Sequence, residues 1–205
     1  SGEGVNGGGP YKYVDPTRYF TEYNHGFKTE MGMPSVPSAE TMRRMAGGHE
    51  PWPMDLVWTY HDFSPQGNQY RNEYNKAIDD TFGPARDLDD YCRKAQMINY
   101  EGYRAIFEGC NHKIWNDCTA IMLWMSHPTW PSTVWQVYDY WFGTDGAFFG
   151  SKKANEPIHI QLCRADWTGE AINHTAGPVM GTVSAKVLGL DAKVLWEKSV
   201  PLTAA

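Results

Sequence analysis

The sequence predicts an α/β fold in which part of a parallel (β/α)8 barrel is followed by the beginning of a β-sandwich. Residues 27–30 read as a short strand that ends on a carboxylate, and Gly32 and Pro34 then break the chain into a loop. Residues 119–125 form a continuous apolar run, which is typical of a strand buried on both faces. Strand patterns dominate only from Ile158 onward.

The composition is that of an ordinary globular protein. The chain has 205 residues, of which 41% are hydrophobic and 20% charged, so it can bury a sizeable core. The net charge is −6 with both signs interspersed, and we therefore expect neither nucleic acid nor a membrane surface as a partner. No apolar run is long enough for a transmembrane helix.

Aromatic residues are unusually frequent. The 9 Trp, 12 Tyr and 8 Phe make up 14% of the chain. Such residues fill cores, but an indole can also stack on the apolar face of a sugar ring. We expect most of them to lie in the core and a few to form sugar-binding platforms.

The cysteines suggest no metal site. They are Cys92, Cys110, Cys118 and Cys163, and their spacing matches no zinc pattern. We therefore predict free buried thiols. A metal-dependent hydrolase that uses three histidines has no spacing in its favour either; these would be His61, His112 and His127. No metal or organic cofactor is implied.

Local signals place the helices. Ser38 can cap a short helix over residues 39–44, and residues 69–82 read as a helix that ends at Gly83. Asp87 can cap the longest helix. Its apolar residues share one face at helical spacing, which indicates a core-facing side; they are Leu88, Tyr91, Ala95, Ile98, Gly102, Ala105 and Ile106. We also predict a helix over residues 134–142.

The first 26 residues are rich in glycine and read as a loop. Such a run can be a flexible terminus or a loop over the mouth of the barrel. The second interpretation is favoured because the segment from Gly9 to Tyr13 also enters the resemblance described next.

Several long motifs resemble glycoside hydrolase family 2. The Thr29-Glu30-Met31-Gly32 segment is similar to the nucleophile strand of its exo-β-glucosaminidase and plant endo-β-mannosidase branch. The run from Asp87 to Glu108 is similar to the seventh barrel helix of that branch almost position by position. Residues 124–139 resemble the family's closing barrel unit, and residues 152–157 its exit into a β-sandwich.

The resemblance implies a retaining β-glycosidase acting on glucosaminides or mannosides. Such enzymes use two carboxyl groups about 5–5.5 Å apart. Glu30 matches the nucleophile, and Tyr11 or Tyr13 would donate a hydrogen bond that keeps it ionised. The acid/base glutamate of the family lies in an Asn-Glu pair before this point. Asn155-Glu156 lies past the barrel, so we expect the acid/base residue to be absent from this chain.

Three further residues are candidates for substrate binding. Trp124 ends the apolar strand, where the family keeps a sugar-stacking indole, and Trp130 lies in the loop that follows. His61 follows an aromatic residue in the place where relatives carry an aromatic-His pair. Each has an ordinary alternative: Trp124 can be a barrel-core residue, Trp130 can pack on its own loop, and His61 can be a hydrogen-bonded structural histidine.

The resemblance also predicts the domains and the partners. Residues 1–156 would be the C-terminal portion of the barrel, with strands seven and eight, and residues 157–205 the start of an immunoglobulin-like sandwich. Both are incomplete, since a barrel takes about 250 residues and a sandwich about 100. We expect a carbohydrate substrate, and the remainder of the enzyme or self-association to cover the apolar faces. A periplasmic or secreted location is favoured. The alternative is a non-catalytic carbohydrate-binding or structural piece.

Overall fold

The computed structural model describes residues 4–64 and 71–204. Its first part contains a three-stranded parallel sheet in the order β1 (Val5–Asn6), β2 (Gly26–Met31) and β3 (Cys118–Leu123). Parallel neighbours need crossover connections. A π-helical turn at Tyr19–Tyr23 lies between β1 and β2, and four of the described helices lie between β2 and β3.

Three of the five described helices follow the predicted local signals closely. The bounds of the five are α1 Ala39–Met45, α2 Leu56–Tyr60, α3 Arg71–Phe82, α4 Leu88–Lys113 and α5 Gly146–Ala154. The Ser38 side chain accepts the Thr41 amide at the start of α1, and α3 ends at Gly83, where φ is +74°. Both predictions are confirmed, although Gln69 lies outside the described residues. None of the helices in these residues has the length and hydropathy needed to span a bilayer.

Helix α4 is the longest helix and the centre of the packing. The Asp87 side chain accepts the Asp90 amide and so caps its first turn, as predicted. Every residue of the predicted apolar face is buried, and Ala95 and Ile106 are completely so. The sheet, the π-helical turn and helices α1, α3 and α5 all contact α4.

The close approach of α5 to α4 depends on two glycines. A Cβ atom at Gly146 would come within 3.0 Å of the backbone of Gln96, and one at Gly150 would overlap the backbone of Tyr100 in the same way. Backbone atoms cannot move aside as a flexible side chain can, so the two helices touch only because these positions carry no side chain.

The last part of the chain forms antiparallel pairs. Strand β4 (Ile158–Leu162) pairs with β5 (Gly169–Asn173), and β6 (Val179–Leu188) pairs with β7 (Val194–Ala204). These strands confirm the prediction that strand patterns dominate from Ile158 onward. The β6–β7 pair leaves Trp196 49% exposed among other apolar residues, so one of its faces is uncovered in this chain.

A buried polar cluster joins β4 to α4. His159 is fully buried, and its Nε2 lies 2.8 Å from a Glu108 carboxylate oxygen that also accepts from Nε of Arg104 at 2.7 Å. The Gln161 side chain donates to the Glu108 carbonyl at 2.9 Å. Because buried polar groups need partners, this cluster fixes where the antiparallel part meets the helix.

The prediction of free thiols is wrong for two of the four cysteines. Cys110 and Cys118 form a disulfide, whereas Cys92 and Cys163 are free and buried as expected. The end of α4 and the start of β3 lie side by side, with the two Cα atoms 5.6 Å apart, which is within disulfide reach.

The prediction of a helix over residues 134–142 is also wrong. This segment is irregular. Oδ1 of the Asp139 carboxylate accepts the amides of Trp141 and Gly143 at 2.9 and 2.7 Å, and such local bonds compete with a helix. The helix begins only at α5, where the Asp145 side chain accepts the Ala147 amide.

Two further expectations need correction. The first 26 residues are not all loop, because they contain β1 and a π-helical turn that buries Tyr19 and Phe20. The described sheet therefore has three parallel strands rather than the two predicted. The β3 strand is not buried on both faces, since Met122 is 54% exposed.

We predict that Gly150→Ala destabilises the protein by about 1–3 kcal/mol, because the added methyl group meets the Tyr100 backbone. The midpoint of thermal unfolding should fall by several degrees. Gly177→Ala is the matched control, because a Cβ there meets nothing within 4 Å. Equal midpoints for the two variants would show that α4 and α5 can separate at little cost.

Candidate active site

Glu30 lies at the carboxyl end of β2. The neighbouring β3 runs parallel to it and ends beside it, where the amide of Trp124 donates to the Met31 carbonyl at 2.8 Å. The loops that follow parallel strands all leave from the end of the sheet at which the strands have their carboxyl ends, and such folds place ligands there. We call this end the carboxyl edge of the sheet. Glu30 and Trp124 both lie at this edge.

The loop after β1 brings a third group to this edge. The Tyr11 hydroxyl donates a hydrogen bond to the Glu30 carboxylate. Burial, the hydrogen bond and the charge of Glu30 together raise the pKa of Tyr11 well above its usual value of 10.0. The phenol therefore stays protonated and remains a donor.

Tyr13 lies elsewhere. Its hydroxyl interacts electrostatically with Asp15, Glu101 and Arg164, and burial raises its pKa. The structure thus brings Tyr11, and not Tyr13, to the Glu30 carboxylate.

Trp130 and His61 come together at the loops that follow β2 and β3. Their rings stack at 5.5 Å between centroids with planes 24° apart, and Tyr60 meets the Trp130 ring edge-on at 5.7 Å. Trp124 is 48% exposed and Trp130 37% exposed, so both indoles have free surface in this chain.

His61 holds two loops together. It is only 8% exposed, and its Nδ1 donates to the Pro131 carbonyl at 2.6 Å. Its own carbonyl accepts the amide and the hydroxyl of Thr133 at 3.0 and 2.8 Å. These bonds supply the ordinary structural role for His61, and its ring also supports the more exposed Trp130.

Trp135 also belongs to this site. It lies in the motif that resembles the closing barrel unit, but it was not predicted to be a site residue. Its indole N–H donates to the carbonyl of Tyr11 at 2.7 Å, and the two rings lie 4.7 Å apart. The two residues are separated by 124 positions, and no local pattern reports a contact over that distance.

The described residues contain no cluster of three or more His, Cys, Asp or Glu side chains arranged to hold a metal ion. The three histidines of the metal hypothesis have separate partners. His61 contacts Pro131, His112 lies 2.5 Å from a Glu170 carboxylate oxygen, and His127 contacts the Tyr140 carbonyl.

Comparison with known proteins gives consistent relatives. The exo-beta-D-glucosaminidase of Amycolatopsis orientalis is 30% identical over 210 residues, which cover 92% of this chain and 20% of that protein. The mannosylglycoprotein endo-beta-mannosidase of Lilium longiflorum is 29% identical over 191 residues, 85% of this chain and 20% of that protein. No protein-family model matches the sequence.

Solved structures agree. The exo-chitosanase CsxA of Amycolatopsis orientalis, in a complex with PNP-beta-D-glucosamine, superposes with a TM-score of 0.84 and 29% identity over 95% of this chain and 25% of its own. The chain is a homologue of family 2 glycoside hydrolases. The beta-D-mannosidase of Dictyoglomus thermophilum, at 18% identity and a TM-score of 0.70, shows the same fold. The chain spans about a fifth of the length of the curated relatives.

A buried carboxyl group supports the loop that follows Glu30 in this glycoside hydrolase homologue. The Ser35 hydroxyl donates to Asp145 at 2.6 Å, and the other carboxylate oxygen caps α5. Asp145 is only 6% exposed, and burial raises its pKa from 3.8 to about 7 against the lowering effect of these hydrogen bonds. The charged form is thus disfavoured in the folded state.

We predict that the parent loses stability as pH rises from 4 to 7 and that Asp145→Asn does not show this loss. Between pH 4 and 7 the folded Asp145 holds a proton that the unfolded chain has released, so stability falls as pH increases and levels off above 7. The free energy of unfolding should fall by up to about 1.4 kcal/mol per pH unit in the parent relative to the variant. Denaturant titrations at pH 4, 5, 6, 7 and 8 measure this difference.

Asp191→Asn is the control for that experiment. Hydrogen bonds from the Lys193 side chain and amide hold the pKa of the Asp191 carboxyl below 3.8. Asp191 therefore changes the pH dependence of the stability only at pH values below the tested range. A stability difference between parent and Asp145→Asn that stays constant from pH 4 to 8 would contradict the prediction.

Proposed function

We propose that this chain is the part of a retaining β-glycoside hydrolase that carries the nucleophile, Glu30. The substrate linkage is a β-glucosaminide or a β-mannoside. The observation that carries the proposal is the position of Glu30 at the carboxyl end of a parallel strand, with the protonated Tyr11 hydroxyl on its carboxylate. The relatives with glucosaminidase and mannosidase names support the substrate class.

The proposed reaction has two displacements. The Glu30 carboxylate attacks the anomeric carbon and forms a glycosyl ester, while an acid protonates the leaving oxygen; water then cleaves the ester. Tyr11 holds one carboxylate oxygen, so that the other can face the sugar. The acid/base carboxyl group is assigned to a part of the enzyme outside this chain. Without that group, the piece alone lacks roughly two to four orders of magnitude of catalysis.

The proposed architecture follows from the same assignment. Residues 1–156 form the C-terminal portion of the (β/α)8 barrel, and residues 157–205 begin the β-sandwich. Strands β2 and β3 take the seventh and eighth places, and β1 the sixth. The remaining barrel strands would lie beside the free side of β3 and cover Met122, which is 54% exposed.

The aromatic residues at the same edge support sugar binding. Trp124 at the end of β3 and Trp130 against His61 both offer an exposed indole surface on which a pyranose can stack. The Cys110–Cys118 disulfide supports a periplasmic or secreted location, because such bonds persist in oxidising compartments.

We predict that Glu30→Gln, in the longest natural polypeptide that contains this sequence, lowers kcat on chromogenic β-glucosaminide or β-mannoside on the order of 10⁴-fold. The amide cannot form the glycosyl ester. Glu30→Ala with azide should restore turnover of a substrate with an activated leaving group. Azide then forms the C–N bond as the C–O bond breaks, and the product is the glycosyl azide of inverted configuration, which NMR identifies.

Glu73→Gln is the matched control, because Glu73 is an exposed carboxylate on α3. It should leave the rate unchanged. Full activity of Glu30→Gln would exclude Glu30 as the nucleophile. A parent protein that cleaves neither sugar would instead favour the non-catalytic, carbohydrate-binding alternative.

We predict that Trp130→Ala raises KM for an oligosaccharide about 5- to 10-fold, because a stacking surface worth about 1 kcal/mol is lost. Trp115→Ala is the control. Trp115 is 80% exposed, but it lies before the amino end of β3 and therefore at the opposite end of the strands from the site. Steady-state kinetics with a chitosan or mannan oligomer measure both. An equal KM for parent and Trp130→Ala would remove Trp130 from the substrate site.

A further inference from the structure

We infer that Trp135 is a positioning residue for Glu30 and acts through Tyr11; the inference rests on the proposed function. Tyr11 adopts a left-handed backbone conformation with φ of 53°. A bulky side chain rarely takes this conformation, because Cβ then crowds the backbone. Surrounding contacts must therefore hold Tyr11 in place.

Three contacts fix both backbone groups and the ring of Tyr11. Its amide donates to the Gly32 carbonyl at 3.1 Å, and its carbonyl accepts the indole N–H of Trp135 at 2.7 Å. The two rings pack at 4.7 Å with planes 50° apart. Trp135 supplies two of these contacts, and the Tyr11 hydroxyl is left to hold Glu30.

Trp135 itself is held by the backbone on two sides. Its carbonyl accepts the Met125 amide, which ties it to the chain just after Trp124. A Cβ atom at Gly32 would lie 2.7 Å from the Trp135 Cβ and would also overlap the Trp124 carbonyl. Only glycine fits there, two residues after Glu30. The nucleophile strand, the Tyr11 loop and the loop after β3 thus meet at Trp135.

The chemical consequence is a fixed hydrogen-bond donor. When the indole N–H is removed, the Tyr11 carbonyl loses its partner, and the residue can relax toward an ordinary negative φ. The hydroxyl then moves away from Glu30. A displacement of about 1 Å at a reacting group can cost up to a hundredfold in rate.

The experiment is a double-mutant cycle in the longest natural polypeptide that contains this sequence. Trp135→Phe keeps a ring on Tyr11 but lacks the N–H donor. We expect kcat to fall on the order of 10-fold while KM stays within about twofold. Tyr11→Phe should lower kcat by at least as much. The double variant should match Tyr11→Phe alone, because Trp135 acts only through the Tyr11 hydroxyl.

The division of the effect between kcat and KM gives a readout that a general loss of structure would not produce. In Trp135→Phe the loss should fall on kcat and not on KM, because the groups that contact the bound sugar stay in place. Trp141→Phe is the control: it lies on the same loop and packs on Arg44, at 4.1 Å from the guanidinium carbon, without a role in the site. It should change neither kcat nor KM.

The outcomes separate the two proposals. If the parent is active and Glu30→Gln is not, then an unchanged Trp135→Phe, or losses that add in the double variant, overturns the role of Trp135 alone. A parent inactive on both sugars overturns the proposed function and this inference with it. If Trp135→Phe unfolds, 3-benzothienylalanine at position 135 replaces only the N–H group, and the same predictions apply.

Discussion

Hydrogen bonds from side chains of α4 to the loop after β2 fix the region on which the site depends. The Tyr103 hydroxyl donates to the Met33 carbonyl at 2.9 Å, and the side chains of Asn99 and Gln96 donate to the Val36 carbonyl at 3.0 and 2.7 Å. This loop follows Glu30 directly, and a loop buried without partners for its carbonyls would be costly. The helix thus satisfies the backbone that a tight buried loop cannot satisfy itself.

The same helix positions the other parts of the chain. The side chain of Asn24, just before β2, donates to the Ile106 carbonyl at 3.0 Å, and Asn111 donates to the Ala154 carbonyl at the end of α5. At the far side, Glu108 holds His159 of β4. A displacement of α4 would therefore disturb the site, α5 and the antiparallel strands at once, whereas a change in the β6–β7 pair would leave the site's own contacts in place.

Helix α4 could be predicted because its cap and its apolar periodicity are both local in the sequence. Glu30 could be placed at the end of a strand because the signals there, a short strand pattern followed by Gly32 and Pro34, are also local. The Cys110–Cys118 disulfide and the contact of Trp135 with Tyr11 could not be predicted, because both depend on where β3 returns beside α4 and β2. The irregular segment after Val134 was mistaken for a helix because Asp139 makes local bonds that its apolar neighbours do not reveal.

The burial of the parallel sheet is uneven, and this connects its stability to its chemistry. Met31 and Cys118 are fully buried beneath the helices, whereas Trp124 and Met122 are about half exposed. In the proposed architecture, the missing barrel strands would cover Met122 and bring the second carboxyl group, whereas Trp124 would stay open to the sugar. Glu30 and Tyr11 are already paired in this chain, so half of the proposed catalytic geometry is set by contacts within it. The second carboxyl group would come from the same missing strands that would complete the core. Those strands would also exclude water from the site, which strengthens the interactions of both carboxyl groups with the sugar.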